Sequence, residues 1–136
     1  MHHGGCLCGG VRYRVTGALR DVVFCHCSQC RRQTGLFYAA TAAATADVSI
    51  EPTGALTWYA ASHFAERGFC GTCGSALFWK PKGGDYIAIL AGSLDDASGL
   101  RPAYHICVEG RATFYDLADG LPQYPGDAPD LPTAAG

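Results

Sequence analysis

Cys6-Leu7-Cys8-Gly9-Gly10-Val11-Arg12-Tyr13-Arg14-Val15-Thr16 sets two thiols two residues apart, then alternates Val, Tyr and Val with Arg12 and Arg14. A period of two is the pattern of a half-buried β-strand, because successive side chains leave a strand on opposite faces. Residues 11–16 therefore read as a strand that starts soon after a cysteine pair. Segments of the same kind recur at residues 22–26, 37–45, 48–51, 56–60, 64–69, 76–80, 86–91, 104–108 and 113–116. Turn formers separate them: Pro52-Thr53-Gly54, the glycines of residues 71–74, and Lys82-Gly83-Gly84-Asp85, which suits a hairpin loop. The alanines of residues 37–45 suit a helix equally well. Residues 28–34 read as the one helix, with Ser28 as N-cap and Gly35 as its stop. Many short strands and one short helix predict a mainly β fold of sandwich or barrel type.

The 136 residues suit one core. Hydrophobic residues at 49%, charged residues at 16% and a mean hydropathy of +0.06 exclude a disordered chain. A net charge of −2 and a pI near 6.2 leave no basic footprint for nucleic acid or an acidic membrane surface. Through Arg111 there are ten basic and eight acidic residues, a balance of +2, while Asp116, Asp119, Asp127 and Asp130 make the remainder −4. That acidic end reads as solvated surface. The longest bland run, residues 36–46, falls far short of the ~20 apolar residues that span a bilayer. Met1 is followed by His2, His3 and glycines rather than a basic cluster and an apolar stretch, so no secretory signal is read and a cytoplasmic location is expected. Residues 1–120 read as the domain and 121–136 as a Pro-rich tail, because four of the seven prolines lie beyond Gly120 and predict a frayed end. Oligomeric state is left open.

Eight cysteines in a reducing compartment point to metal binding or catalysis rather than disulfides. They fall as Cys6 and Cys8, then Cys25, Cys27 and Cys30, then Cys70 and Cys73, with Cys107 alone. Residues i and i+2 of an extended segment share a face, so Cys6 with Cys8 and Cys25 with Cys27 form two-sulfur pincers. Cys70-Gly71-Thr72-Cys73-Gly74 has the spacing of a zinc knuckle, whose glycines let the backbone turn close to a metal. Four ligands arise in either of two ways, from Cys6 and Cys8 with Cys70 and Cys73, or from one pair with part of the triplet. The first leaves Cys25, Cys27 and Cys30 as three ligands with an open fourth position, the pattern of a catalytic zinc site. The plainer alternative is a second structural zinc completed by His26 or Cys107. Cys107, between Ile106 and Val108, reads as a small core residue.

Gly4-Gly5-Cys6-Leu7-Cys8-Gly9-Gly10-Val11, Cys25-His26-Cys27-Ser28-Gln29-Cys30-Arg31 and Phe69-Cys70-Gly71-Thr72-Cys73-Gly74-Ser75 together resemble the glutathione-dependent formaldehyde-activating (GFA) family. Tyr104-His105-Ile106 and Asp119-Gly120-Leu121-Pro122 look like that family's C-terminal strand and loop. The resemblance implies a β-tent fold, one zinc at Cys6, Cys8, Cys70 and Cys73, and a second at Cys25, Cys27 and Cys30. It also implies a carbon–sulfur lyase that condenses formaldehyde with glutathione to S-hydroxymethylglutathione. The expected partners are a small thiol such as glutathione and a small aldehyde, and the expected cofactors are two zinc ions, one structural and one labile.

On this reading Cys25, Cys27 and Cys30 form the catalytic site. Zinc deprotonates a bound thiol, whose free pKa is near 8.5. Arg31 and Arg32, next to Cys30, are expected to offset thiolate charge or pair with a glutathione carboxylate, against the plainer reading of a solvated helix face. Ser28 is expected to aim helix N–H groups at the thiolates. His26 lies on the strand face opposite Cys25 and Cys27 and reads as packed or hydrogen-bonded rather than as a ligand. His105 reads as structural and His63 as exposed; Trp58, Trp79, Phe69 and Phe78 read as core. Glu66 and Arg67 face either the site or water. The competing class is a zinc-stabilised binding module with both metals structural and no catalysis.

Overall fold

A computed structural model describes residues 1–52 and 54–128. Among these described residues, ten strands and one α-helix follow in the order β1 (His2–Gly5), β2 (Arg12–Val15), β3 (Val22–Cys25), α1 (Ser28–Thr34), β4 (Tyr38–Ala44), β5 (Val48–Ile50), β6 (Leu56–Tyr59), β7 (Ala65–Cys70), β8 (Ala76–Pro81), β9 (Tyr86–Leu90) and β10 (Pro102–Ile106). They form a three-stranded sheet β1-β2-β5 and a seven-stranded sheet β10-β3-β4-β9-β8-β7-β6. Neighbours are antiparallel except β10, which runs parallel to β3 with Ile106 opposite Cys25. The mainly β expectation with one short helix is met, the strands dividing into two sheets.

The period-two reading of the opening stretch holds in detail. Val11, Tyr13 and Val15 are buried, while Arg12 and Arg14 face outward. Tyr13 lies edge-on to Phe78 of β8 at 5.2 Å between ring centres and shares a 2.6 Å hydrogen bond with the Ser93 hydroxyl, so it fastens the small sheet to the large one. Val11, Val15, Leu77, Phe78 and Ile89 are fully buried around this contact. Each such side chain contributes about 1.5–3 kcal/mol on burial.

Within residues 37–45, Tyr38–Ala44 form a strand. β4 is central, bonded to β3 on one side and β9 on the other, and its small alanines let the covering layer approach closely. Tertiary pairing here overrides the helix preference of alanine. β1 was not anticipated, because His2-His3-Gly4-Gly5 has no apolar alternation. It forms through backbone pairing with β2, and Gly4 sits where any Cβ would collide with the Tyr13 ring. Residues 113–116 form bends rather than a strand, with Phe114 exposed. The Lys82-Gly83-Gly84-Asp85 loop does join β8 to β9, whereas Thr53 of the Pro52-Thr53-Gly54 turn lies outside the described residues.

The expected frayed end is corrected for residues 122–126. Pro122 O accepts from His105 N at 2.9 Å, Tyr124 N donates to His105 O at 2.9 Å, and Gly126 O accepts from Cys107 N at 2.9 Å. Prolines tolerate this position because β10 is the edge of its sheet and each proline need supply only a carbonyl. The segment from Pro129 onward lies outside the described residues.

Candidate metal centres and active site

Two cysteine clusters stand apart in the fold. The first gathers Cys6, Cys8, Cys70 and Cys73, whose sulfurs all lie within 4.8 Å of one another. Cys6 and Cys8 follow β1, and Cys70 ends β7, so two reverse turns face each other. Gly9 N bonds to Cys6 O at 3.2 Å in one turn, and Gly74 N bonds to Cys70 O at 2.8 Å in the other. Gly9 and Gly74 both have φ of +80°, a conformation that strongly favours glycine. Backbone N–H groups of Val11, Gly10 and Cys73 point at the sulfurs of Cys6, Cys8 and Cys70 at 3.2, 3.4 and 3.5 Å. The Cys73 sulfur meets the Ser75 hydroxyl at 3.2 Å, and hydrogen bonding to Ser75 holds its pKa down at about 5.

The spacing tests whether a metal fits. Four sulfurs at about 2.3 Å from a tetrahedral zinc stand about 3.8 Å apart, whereas a disulfide requires about 2.05 Å. Cys6 to Cys8 is 3.6 Å and Cys8 to Cys70 is 3.7 Å, and all eight cysteines are free. The set matches a tetrahedral metal site and leaves no disulfide.

The second cluster, Cys25, Cys27 and Cys30, also lies within 4.8 Å. Cys25 ends β3 opposite Tyr38, and Cys30 is buried on the first turn of α1. The helix cap corrects the sequence reading: Cys27, not Ser28, is the N-cap, and its sulfur accepts from Cys30 N at 3.3 Å. Gly35 ends the helix at φ +86°, as expected. Hydrogen bonding from Cys25 and Cys30 pulls the Cys27 thiol far below its ordinary range.

The cation at this cluster is Arg67 of β7. Its two terminal nitrogens lie 3.6 and 3.5 Å from the Cys30 sulfur, and they also bond to Gln33 Oε1 at 3.0 Å and Gln29 Oε1 at 3.3 Å. The guanidinium stacks over Tyr38 at 5.2 Å and is only 5% exposed. Burial draws its pKa down, but the Cys30 sulfur, with Tyr38 and Cys27, more than offsets this and leaves it raised. A buried cation held this way balances negative charge on the sulfurs. Arg31 and Arg32 are placed elsewhere: Arg32 is exposed, and neither lines the cavity beside the cluster. Glu66 points to the face opposite Arg67, toward Lys80, and His63 is exposed.

That cavity has a volume of about 510 Å³. Cys25, Cys27 and Cys30 form one wall with Arg67, and Tyr38, Phe64 and Trp79 supply aromatic surface. Trp79, expected in the core, therefore faces the cavity, whereas Trp58 stacks on Phe78 as anticipated. Cys107 corrects its expectation. The strand stops at Ile106, and Cys107 takes φ +54° and ψ +35° just beyond it, half-buried on the cavity wall.

His26 is fully buried and uses both ring nitrogens, so it ligates nothing. Burial holds its pKa down at about 4, and the ring is neutral. His105 Nε2 meets Asp119 Oδ2 at 2.7 Å, His105 Nδ1 meets His26 Nε2 at 2.8 Å, and His26 Nδ1 meets the Tyr115 hydroxyl at 2.6 Å. This chain pins the residue between Cys25 and Cys27. Its remote members were visible in the sequence only as a strand histidine and an acidic loop.

Comparison with known proteins agrees with the site. A family model described as glutathione-dependent formaldehyde-activating enzyme matches residues 1–110. A Schizosaccharomyces pombe protein named as an uncharacterized lyase is 26% identical over 119 residues, covering 87% of this chain and 86% of its own. The crystal structure of a Rhodobacter sphaeroides protein superposes with a TM-score of 0.59 at 27% identity, covering 74% of this chain and 97% of the other. Among the described residues no helix is long and apolar enough to cross a membrane. Both cysteine clusters and Arg67 lie inside the matched span, and on that match the chain belongs to the glutathione-dependent formaldehyde-activating enzyme family.

Proposed function

We propose that this chain is a zinc-dependent carbon–sulfur lyase that joins formaldehyde, or another small aldehyde, to glutathione or a similar thiol. The observation that carries the reading is the three-sulfur cluster opening onto a cavity, with a buried guanidinium on one of its sulfurs. Cys6, Cys8, Cys70 and Cys73 hold a structural zinc, and Cys25, Cys27 and Cys30 hold the second. Bound there, zinc lowers the pKa of a thiol so that a thiolate is available at neutral pH.

The protein's own groups do the rest. Tyr38, Phe64 and Trp79 shelter the substrate from water and fix the direction of approach. Arg67 holds a positive charge beside sulfurs whose summed charge would otherwise resist a further thiolate. Overall the S–H bond adds across the carbonyl. The C–S bond forms with the sulfur electron pair, the carbonyl π pair moves to oxygen, and a proton from solvent ends there. The family match and the eight free thiols support a reducing cytoplasmic setting.

Glutathione and formaldehyde combine spontaneously, so the test is acceleration. Exchange NMR of the equilibrated mixture should show faster interconversion with the protein present and the uncatalysed rate with Cys30→Ser, whose circular dichroism stays native. No acceleration by the wild-type protein with any thiol tried, while both metals are bound, would favour the binding-module reading.

A further inference from the structure

We propose that Cys107 is an exchangeable fourth sulfur ligand of the Cys25–Cys27–Cys30 centre, occupying the open position until a substrate thiol displaces it. The inference rests on the reading of that cluster as a metal site.

Strand alternation carries the argument. His105 of β10 faces His26, and Ile106 lines the cavity, so an extended Cys107 would turn back to the His105 side. It lines the cavity beside Ile106 instead. The cause is its backbone: Cys107 is the only non-glycine with positive φ among the described residues. For a residue with a Cβ this conformation is disfavoured and persists only where the surroundings enforce it. Hydrogen bonds from Cys107 N to Gly126 O at 2.9 Å and from Gly110 N to Cys107 O at 3.0 Å enforce it here. The thiol is thereby brought onto the cavity wall that Cys25, Cys27 and Cys30 also form. A sulfur on the wall of the cavity that feeds the open position is placed to fill it. On this proposal its side chain, which lies outside the 4.8 Å triplet, turns in to complete the set and out to release it. The exchange balances: an incoming thiol gives up its proton, and Cys107 leaves as the thiol that takes it.

The test is 113Cd NMR of the full-length cadmium-loaded protein, in which each centre gives its own resonance and replacing sulfur by oxygen moves the signal upfield. The wild type should show two resonances in the four-sulfur range. Cys107→Ser should move one of them to the three-sulfur range and leave the other, and added glutathione should return it. Cys107→Gly, which relieves the backbone conformation, guards against misfolding of the serine variant and should give the same shift. Two wild-type resonances of which one is already in the three-sulfur range, unmoved by either variant, would overturn the assignment of Cys107. A single resonance with one cadmium per chain would overturn it too, by removing the second metal site itself.

Discussion

Both sulfur clusters start from a Cys-x-Cys pair at the end of a strand, Cys6 and Cys8 just after β1, Cys25 as the last residue of β3 with Cys27 beyond it, and they finish differently. The first pair meets a second turn of similar build, and backbone amides with the Ser75 hydroxyl satisfy its sulfurs. The second pair meets a helix that supplies one more sulfur, a buried arginine and a cavity. Four protein ligands close a site and make it part of the fold, whereas three leave room for a substrate. The same local motif is thus structural or chemical according to what the tertiary structure brings opposite it.

The largest effect should come from breaking the closed cluster. Cys70 is fully buried, and its cluster ties residue 6 to residue 73. Structural zinc sites contribute about 10–16 kcal/mol of apparent binding energy, which exceeds or matches a whole domain's stability of about 5–15 kcal/mol. Cys70→Ser should therefore lose its cooperative thermal transition in calorimetry. A cooperative transition near the wild-type midpoint would show that the cluster does not hold the fold. Stepwise chelation sharpens the contrast: one metal should leave with near-ultraviolet circular dichroism unchanged, and the second only as the chain unfolds.

Arg67 tests what is special to the open cluster. Losing a group that supports metal ligands typically costs about 10–100-fold in affinity or activity. Arg67→Met should reduce the accelerated exchange by that order, and Arg67→Lys should recover part of it by restoring charge without the two-nitrogen contact to Cys30. Equal rates in the two variants would count against charge balance. The smallest effect belongs to the hydrogen-bonded chain behind the site. Asp119→Asn keeps a polar group against His105 and should lower stability by about 1 kcal/mol in urea unfolding. A loss several times larger would move that chain from support of the cluster to a main prop of the fold.

Much of this was legible from residue order, and the misses share one cause. Residues 11–16 read correctly because alternation is a local property of a strand with one buried face. The alanines of β4 were ambiguous because alanine fits either element, and only the flanking strands β3 and β9 decide. Arg31 and Arg32 drew attention by adjacency to Cys30, yet residues one and two further along a helix leave it on other faces. The arginine that reaches Cys30 comes from 37 residues away in the chain. Prolines after Gly120 suggested a loose end, but Pro122 and Pro125 fall where the neighbouring segment needs a carbonyl, for His105 and Glu109, while the N–H it accepts comes from Tyr124.

Residue order by itself determined the strand-rich class, the helix at residues 28–34, and the grouping of seven cysteines into two pairs and a triplet, because each depends on spacings of two or three residues along one short element; that the two pairs meet is a tertiary fact. Only the tertiary structure decided which cation sits on the sulfurs, where His26 finds its partners, and that Cys107 turns into the cavity. Those depend on strand pairing between distant segments, above all β10 against β3, and on a backbone angle that the docked end of the chain enforces.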